Sequence, residues 1–105
     1  MNALLVLSSF PDADTARKIA RTLVEEQCAV CANLIPKAES IYWWKGVIET
    51  GVEVIAFFKT TSDQYPQLAA RLKELHPYEL PEILAFEPVT GNPDYLQWII
   101  ANTGP

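Results

Sequence analysis

Residues 52–61 limit what this chain can fold into more than any other segment. Alternate positions in this run, Val54, Ala56 and Phe58, are apolar, and the positions between them, Ile55 and Phe57, are apolar as well. Apolar side chains on both faces of a strand are typical of the middle of a sheet that is covered on both sides. The fold must therefore place a layer over each face of this strand.

The sequence predicts a first strand and two amphipathic helices. Residues 3–10 form a compact apolar run that predicts a first strand. Asp12 is a suitable N-cap for a helix extending to about residue 27, in which apolar residues recur at spacings of three and four. A second helix must end at His76, because the residue before Pro77 is displaced from the helical conformation.

The middle of the chain predicts a long hairpin. Residues 29–35 and 40–44 favour an extended strand, with a bulge expected at residues 36–37 because proline lacks a ladder donor. Residues 45–46, Lys-Gly, predict a tight turn into the long strand. Residues 50–51, Thr-Gly, are a candidate second bulge.

The order of elements predicts a single α+β domain over residues 1–105. Residues 82–86 form a last short strand, and Asn92 caps a C-terminal helix that starts with Pro93. The order strand, helix, strand, strand, helix, strand is that of a ferredoxin-like βαββαβ sandwich, here with an extra C-terminal helix. Both main helices then lie on one face of the sheet. We expect the other face, which has no helix in this scheme, to contact further subunits.

Composition excludes several classes of protein. Half of the 105 residues are hydrophobic, which is too many for a disordered chain. Eight Lys and Arg against 13 Asp and Glu give a net charge of −5, which argues against binding to nucleic acid. No apolar run approaches the roughly 20 residues of a membrane span, and the N-terminus lacks the positive region of a secretory signal. We therefore expect a cytoplasmic protein with no membrane or nucleic-acid partner.

The two cysteines are spaced as C-x-x-C but do not favour a redox or chelating pair. Cys28 and Cys31 follow a helix, whereas a redox pair of this kind precedes one. In an extended segment the two side chains point to opposite faces, so they are read as separate reduced thiols. His76 is the only histidine, which excludes a two-histidine zinc site within one chain. It is either a helix-end residue or, with Cys31, one of two ligands suited to copper.

Two further features each leave two interpretations open. The aromatic residues 42–44 alternate between strand faces and favour packing, with a ligand cleft as the alternative. Lys59 stands within an apolar strand and needs a partner, for which Glu53 and Glu82 are candidates; an anion-binding role is the alternative.

Several blocks of sequence resemble the CutA divalent-cation tolerance proteins. The blocks are CANLIP from Cys31, SIYWWKG from Ser40, Glu53 with the pair Lys59-Thr60, HPYELPE from His76, and YLQW from Tyr95. They occur in order over nearly the whole chain. The resemblance implies a ferredoxin-like subunit of a tight homotrimer that lies in the cytoplasm. It also implies a role in tolerance to copper and other divalent cations, with Cys31 and His76 as proposed ligands.

Two functions of different classes follow as expectations. The first is a non-enzymatic homotrimer that binds copper or another divalent cation weakly through Cys31 and His76. The second is a trimeric small-molecule sensor, similar to PII signalling proteins, that holds an anionic ligand in clefts between subunits. Four residues are expected to line that cleft: Trp44, Lys59, Tyr78 and Glu82.

Overall fold

A computed structural model describes all residues from 1 to 105. Four strands and three helices follow the predicted order. They are β1 (Ala3–Phe10), α1 (Ala13–Glu25), β2 (Cys31–Trp44), β3 (Val47–Thr61), α2 (Tyr65–Leu75), β4 (Leu84–Phe86) and α3 (Pro93–Asn102). The first strand has the predicted bounds, while β4 is two residues shorter at its start than predicted.

The strands form one antiparallel sheet in the order β2-β3-β1-β4, which confirms the ferredoxin-like prediction. Helices α1 and α2 cover one face, where Val54, Ala56 and Phe58 of β3 belong to a core of 13 buried residues. We call this the helix face and the opposite one the second face. Ile55 and Phe57 lie on the second face and are only half-buried.

Both ends of α1 are closed by local hydrogen bonds. Asp12 is the N-cap, and its Oδ1 accepts a hydrogen bond of 2.7 Å from the Thr15 backbone N–H. At the other end Gln27 has a φ of 63°, and the Cys28 N–H donates to the Leu23 carbonyl at 2.9 Å. Together with the bond from the Gln27 N–H to the Val24 carbonyl, this is a Schellman motif. The motif turns the chain from α1 into β2.

The predicted bulge interrupts β2. The register shifts between Ile35 and Ala38, and Lys37 has a φ of 63°. Lys45 and Gly46 form the predicted tight turn, with φ angles of 50° and 82° that fit a type I′ hairpin. The second bulge, at residues 50–51, was a wrong prediction, because the β2–β3 register is unbroken from Ala38 onward. Glycine at position 51 lies in an ordinary paired strand instead.

Beyond the four-stranded sheet, β2 and β3 continue as a two-stranded ribbon. β1 pairs with β3 only as far as Val54, so residues 38–53 have no third strand beside them. We call these residues the hairpin arm. On the side of the arm that continues the helix face, α1 and α2 no longer cover the apolar side chains. The exposed side chains there are Ile41, Trp43, Ile48 and Val52. The arm lengthens the molecule to 44 × 27 × 21 Å and gives a radius of gyration of 14.2 Å, against about 13 Å for a compact domain of this length.

The second face is not free of helices as expected. Helix α3 packs against β1 and β3 on this face, and the Lys59 Nζ lies 5.8 Å from the centre of the Tyr95 ring. Ile99 of α3 is buried there, outside the main core. Helix α3 therefore covers the second face over β1 and β3, whereas the same face of the hairpin arm stays uncovered. None of the three helices combines the length and the apolar character that crossing a bilayer requires.

Candidate functional site

A cleft of about 570 Å³ opens on the second face, where the hairpin arm leaves the sheet. Three segments supply its walls: the end of β1, the arm, and the connection between α2 and β4. The lining residues are Ser9, Ser40, Tyr42, Trp43, Trp44, Glu53, Tyr78, Glu79, Leu80 and Glu82. Four of these ten are aromatic and three are carboxylates, whereas no Lys, Arg or His is among them.

His76 fixes the position of the connection that carries Tyr78. It is the C-cap of α2, and its ring is buried in a stack against Phe10 with centroids 4.7 Å apart. Its Nε2–H donates to the Ser9 carbonyl at 2.7 Å, so Nδ1 accepts the Tyr78 backbone N–H at 3.1 Å. Burial lowers the pKa of His76 below its usual value, against a smaller opposing effect of the Ser9 hydrogen bond. The imidazole is therefore neutral, and both of its nitrogens are in use.

Tyr78 and Glu53 meet at the floor of the cleft. The Tyr78 hydroxyl donates to the Glu53 Oε2 at 2.5 Å. Burial, and then this hydrogen bond to a carboxylate, raise the pKa of Tyr78 well above its usual value. Glu53 is half-buried and forms no ion pair, and Glu82 forms none either. Glu53 and Glu82 therefore bring negative charge to the cleft without an ion-pair partner, whereas Glu79 is paired with Lys45.

The structure brings three of the four predicted cleft residues together. Trp44, Tyr78 and Glu82 line the cleft. Lys59 lies on the same face but six residues from Glu53 along β3, about 20 Å away at the usual rise of a strand. Its ammonium donates to Asn33 Oδ1, so the predicted pairing with Glu53 or Glu82 was wrong. Its partner is Asn33 on β2, which the spacing of residues in the sequence could not identify.

The two cysteines are separate free thiols, as predicted. Cys28 is fully buried in the core, where it follows the Schellman motif and packs with the helix residues. Burial raises the pKa of its thiol. Cys31 is half-buried and pairs in register with Lys59, which places it on the second face. The sheet therefore stands between the two sulfur atoms.

Cys31 and His76 do not meet within one chain. Cys31 aligns with Lys59 and hence with Leu5 of β1, whereas His76 contacts Ser9, four residues further along that strand. This offset corresponds to about 13 Å along the strands, with two strand spacings across the sheet in addition. No group of three or more His, Cys, Asp or Glu side chains in the chain is arranged to hold a metal ion.

Sequence reasoning missed the role of Glu53 in the cleft. It was considered as a partner for Lys59 and as part of a block that resembles the CutA proteins, but not as a residue of the cleft, although an acidic residue within an apolar strand carries the same signal as a lysine there. Ser40 and Tyr42 also line the cleft, because they share the second face with Glu53 in the hairpin arm. Finding them requires the register of β2 after the bulge.

The strand order and the added third helix define a small ferredoxin-like α+β protein. A family model described as "CutA1 divalent ion tolerance protein" matches residues 4–102. The "Divalent-cation tolerance protein CutA" of Thermus thermophilus is 44% identical over 100 residues, which cover 95% of this chain and 97% of that protein. The chain belongs to the CutA1 family.

Solved structures agree with this membership. CutA from Xylella fastidiosa superposes with a TM-score of 0.94 at 38% identity, over 99% of this chain and all of that one. CutA1 from Oryza sativa gives a TM-score of 0.94 at 30% identity, over 99% of this chain and 95% of that one.

Proposed function

We propose that this chain is a non-enzymatic, cytoplasmic homotrimer that binds divalent cations weakly, copper included. Membership of a family described by divalent ion tolerance carries this proposal, because the family model covers nearly the whole chain. The net charge of −5 for each subunit attracts cations without selecting among them. Selectivity then requires ligands that prefer particular metals.

The hairpin arm supports assembly. Its apolar side chains are exposed in a single subunit, and the accessible surface of 6650 Å² exceeds the roughly 5,900 Å² expected for a folded monomer of 11.8 kDa. Exposed apolar surface of this extent is typical of protein interfaces. A threefold arrangement is the one that the family resemblance implies.

We propose Cys31 and His76 as metal ligands contributed by different subunits. A thiol and an imidazole suit copper, and their separation within one chain requires a second chain to bring them together. Cys31 is free and half-buried, so it can bind without rearrangement. His76 must first release the Tyr78 N–H from Nδ1, so we expect its contribution to affinity to be the smaller one.

Copper titration by calorimetry tests this proposal. Cys31→Ser is expected to weaken copper binding at least tenfold, and His76→Ala by a smaller factor. Cys28→Ala removes the other thiol, which lies in the core, and is expected to leave the affinity unchanged. Unchanged affinity in both Cys31→Ser and His76→Ala would contradict the ligand assignment.

A second candidate function is a small-molecule sensor that uses the cleft. The observation that favours it is the convergence of Trp44, Tyr78 and Glu82 in one cavity of suitable size. The carboxylates that line the cavity disfavour the anionic ligand that the sequence led us to expect. A thermal-shift screen of metabolites tests the function, and a lack of response to any compound would count against it.

A further inference from the structure

We propose that the cleft binds a small organic cation with an ammonium head group, held between the aromatic rings of the arm and the carboxylate of Glu53. This inference rests on the second candidate function and names the chemical class of its ligand. It differs from the metal proposal in the residues used, since neither Cys31 nor His76 lines the cleft.

The aromatic walls are the first support. The side chains of Tyr42, Trp44 and Tyr78 line the cavity, whereas the side chain of Trp43 continues the helix face on the other side of the arm. The face of an aromatic ring attracts a cation within about 6 Å of its centre, and tryptophan does so most strongly. Quaternary ammonium groups such as that of choline are recognised in this way, by several aromatic rings.

An ammonium of the chain already occupies one such position. The Lys45 Nζ lies 5.5 Å from the centre of the Trp44 ring and 3.7 Å from the Glu79 Oε2. The ring and the carboxylate thus hold an ammonium between them at the rim of the cleft. The Lys45 side chain is 70% exposed, so an external ammonium can displace it at little cost.

The charge of the cleft is the second support. Glu53 is half-buried and has only the neutral Tyr78 hydroxyl as a partner. A partly desolvated carboxylate gains from a cation that replaces the lost water. Glu82 has no ion pair, and the cleft is lined by no basic side chain.

The same geometry favours an organic cation over a bare metal ion in this cleft. A divalent metal needs several converging ligands, and no group of three such side chains exists in the chain. Aromatic rings do not serve as ligands for hard cations, whereas they occupy much of this wall. A volume of about 570 Å³ is that of a small-molecule site.

Choline and its neutral isostere 3,3-dimethyl-1-butanol are the probes that test the inference. They match in shape and differ in charge, and tryptophan fluorescence reports binding beside Trp44. The native protein is expected to bind choline at least tenfold more tightly than the neutral isostere. Equal binding of the two, or no binding of choline, would overturn the inference.

Variants locate the binding and separate charge from packing. Glu53→Gln is expected to weaken choline binding at least threefold, while Glu25→Gln, the same change on exposed α1, leaves it unchanged. Lys45→Ala removes the resident ammonium and is expected to strengthen choline binding at least threefold. Weaker binding in Lys45→Ala, or no change in Glu53→Gln, would contradict the proposed position of the head group.

The failure of this inference is distinguishable from the failure of the proposed functions. If the thermal-shift screen finds a neutral or anionic ligand while choline does not bind, the sensor function stands and the cationic ligand class is wrong. Copper titration of Glu53→Gln monitors the metal function separately, and its affinity is expected to equal that of the native protein. Circular dichroism of each variant confirms that the fold is retained.

Discussion

His76 illustrates how burial decides the chemistry of a side chain. The sequence indicated two roles for it, closing a helix and binding a metal, and the structure shows that it closes α2. The ring stacks on Phe10, donates to the Ser9 carbonyl and accepts from the Tyr78 N–H. Protonation at Nδ1 would remove the acceptor that holds Tyr78 beside the cleft.

Stability is expected to fall as the pH decreases below about 6.5. Burial holds the pKa of folded His76 below that of the unfolded chain, so the unfolded state binds more protons in this range. Urea unfolding at about pH 8 and about pH 5.5 measures the decrease, and His76→Gln, which cannot titrate, is expected to show less of it. The carboxyl groups of Asp12 and Glu26 have lowered pKa values, so their protonation destabilises the protein only at more acidic pH. It does not affect the comparison between about pH 8 and about pH 5.5. An equal decrease in both proteins would contradict the assignment to His76.

Two buried hydroxyls are expected to respond oppositely to removal. Ser8 is fully buried, and its Oγ has no hydrogen-bond partner, so Ser8→Ala should raise the free energy of unfolding by about 1 kcal/mol. Thr60 is equally buried, but its hydroxyl donates to the Cys28 carbonyl at 2.7 Å. Thr60→Val should therefore lower stability by about 1–2 kcal/mol. Chemical denaturation of both variants checks the two signs, and a loss of stability in Ser8→Ala would show that its hydroxyl has a partner.

At the scale of elements, the turn after α1 is held by a residue that is not the preferred one. Gln27 adopts a φ of 63°, a conformation in which glycine avoids the steric cost of a side chain. Gln27→Gly is expected to stabilise the protein by about 0.5–1 kcal/mol, because the backbone bonds of the Schellman motif remain. Lys18→Gly, at an exposed position in the middle of α1, should instead destabilise it by about 1 kcal/mol. Thermal unfolding of both variants tests the contrast, and destabilisation by Gln27→Gly would argue against the motif.

The elements themselves were predictable because each has a local signal. Asp12 and Asn92 cap helices, Pro77 ends one, and Lys45 with Gly46 makes the type I′ turn. These signals depend on backbone geometry within a few residues, so they can be read directly from the sequence.

What could not be predicted depends on register and on packing between distant segments. Helix α3 covers part of the second face, although nothing in its own sequence says which face it takes. The position of Lys59 beside Asn33 depends on how β2 aligns with β3. Tyr78 reaches Glu53 only because the connection after α2 folds across the end of β1. The cleft was therefore predicted in part, from its aromatic residues and Glu82.

At the scale of the whole molecule, the hairpin arm is the surface on which assembly is expected to depend. Trp43 is 71% exposed in a single chain, and a charge at this position would be buried on association. Trp43→Asp is therefore expected to reduce the particle mass below three times 11.8 kDa, as measured by light scattering after gel filtration. Val89→Asp, at an exposed apolar residue outside the arm, is the matched control and should leave the mass unchanged. A Trp43→Asp protein with the native mass would exclude the arm from the interface.

In the proposed homotrimer, the hairpin arm would also tie the folding of one chain to the presence of the others. A ribbon of two strands without a third strand is only marginally stable in water, so residues 38–53 would gain much of their order from contacts with neighbouring subunits. By mass action, the temperature of half-unfolding then rises with protein concentration. A chain diluted far below the dissociation constant of its assembly would lose the arm first, and with it Tyr42, Trp44 and Glu53 from the cleft. Ligand binding in the cleft would then weaken as the assembly dissociates.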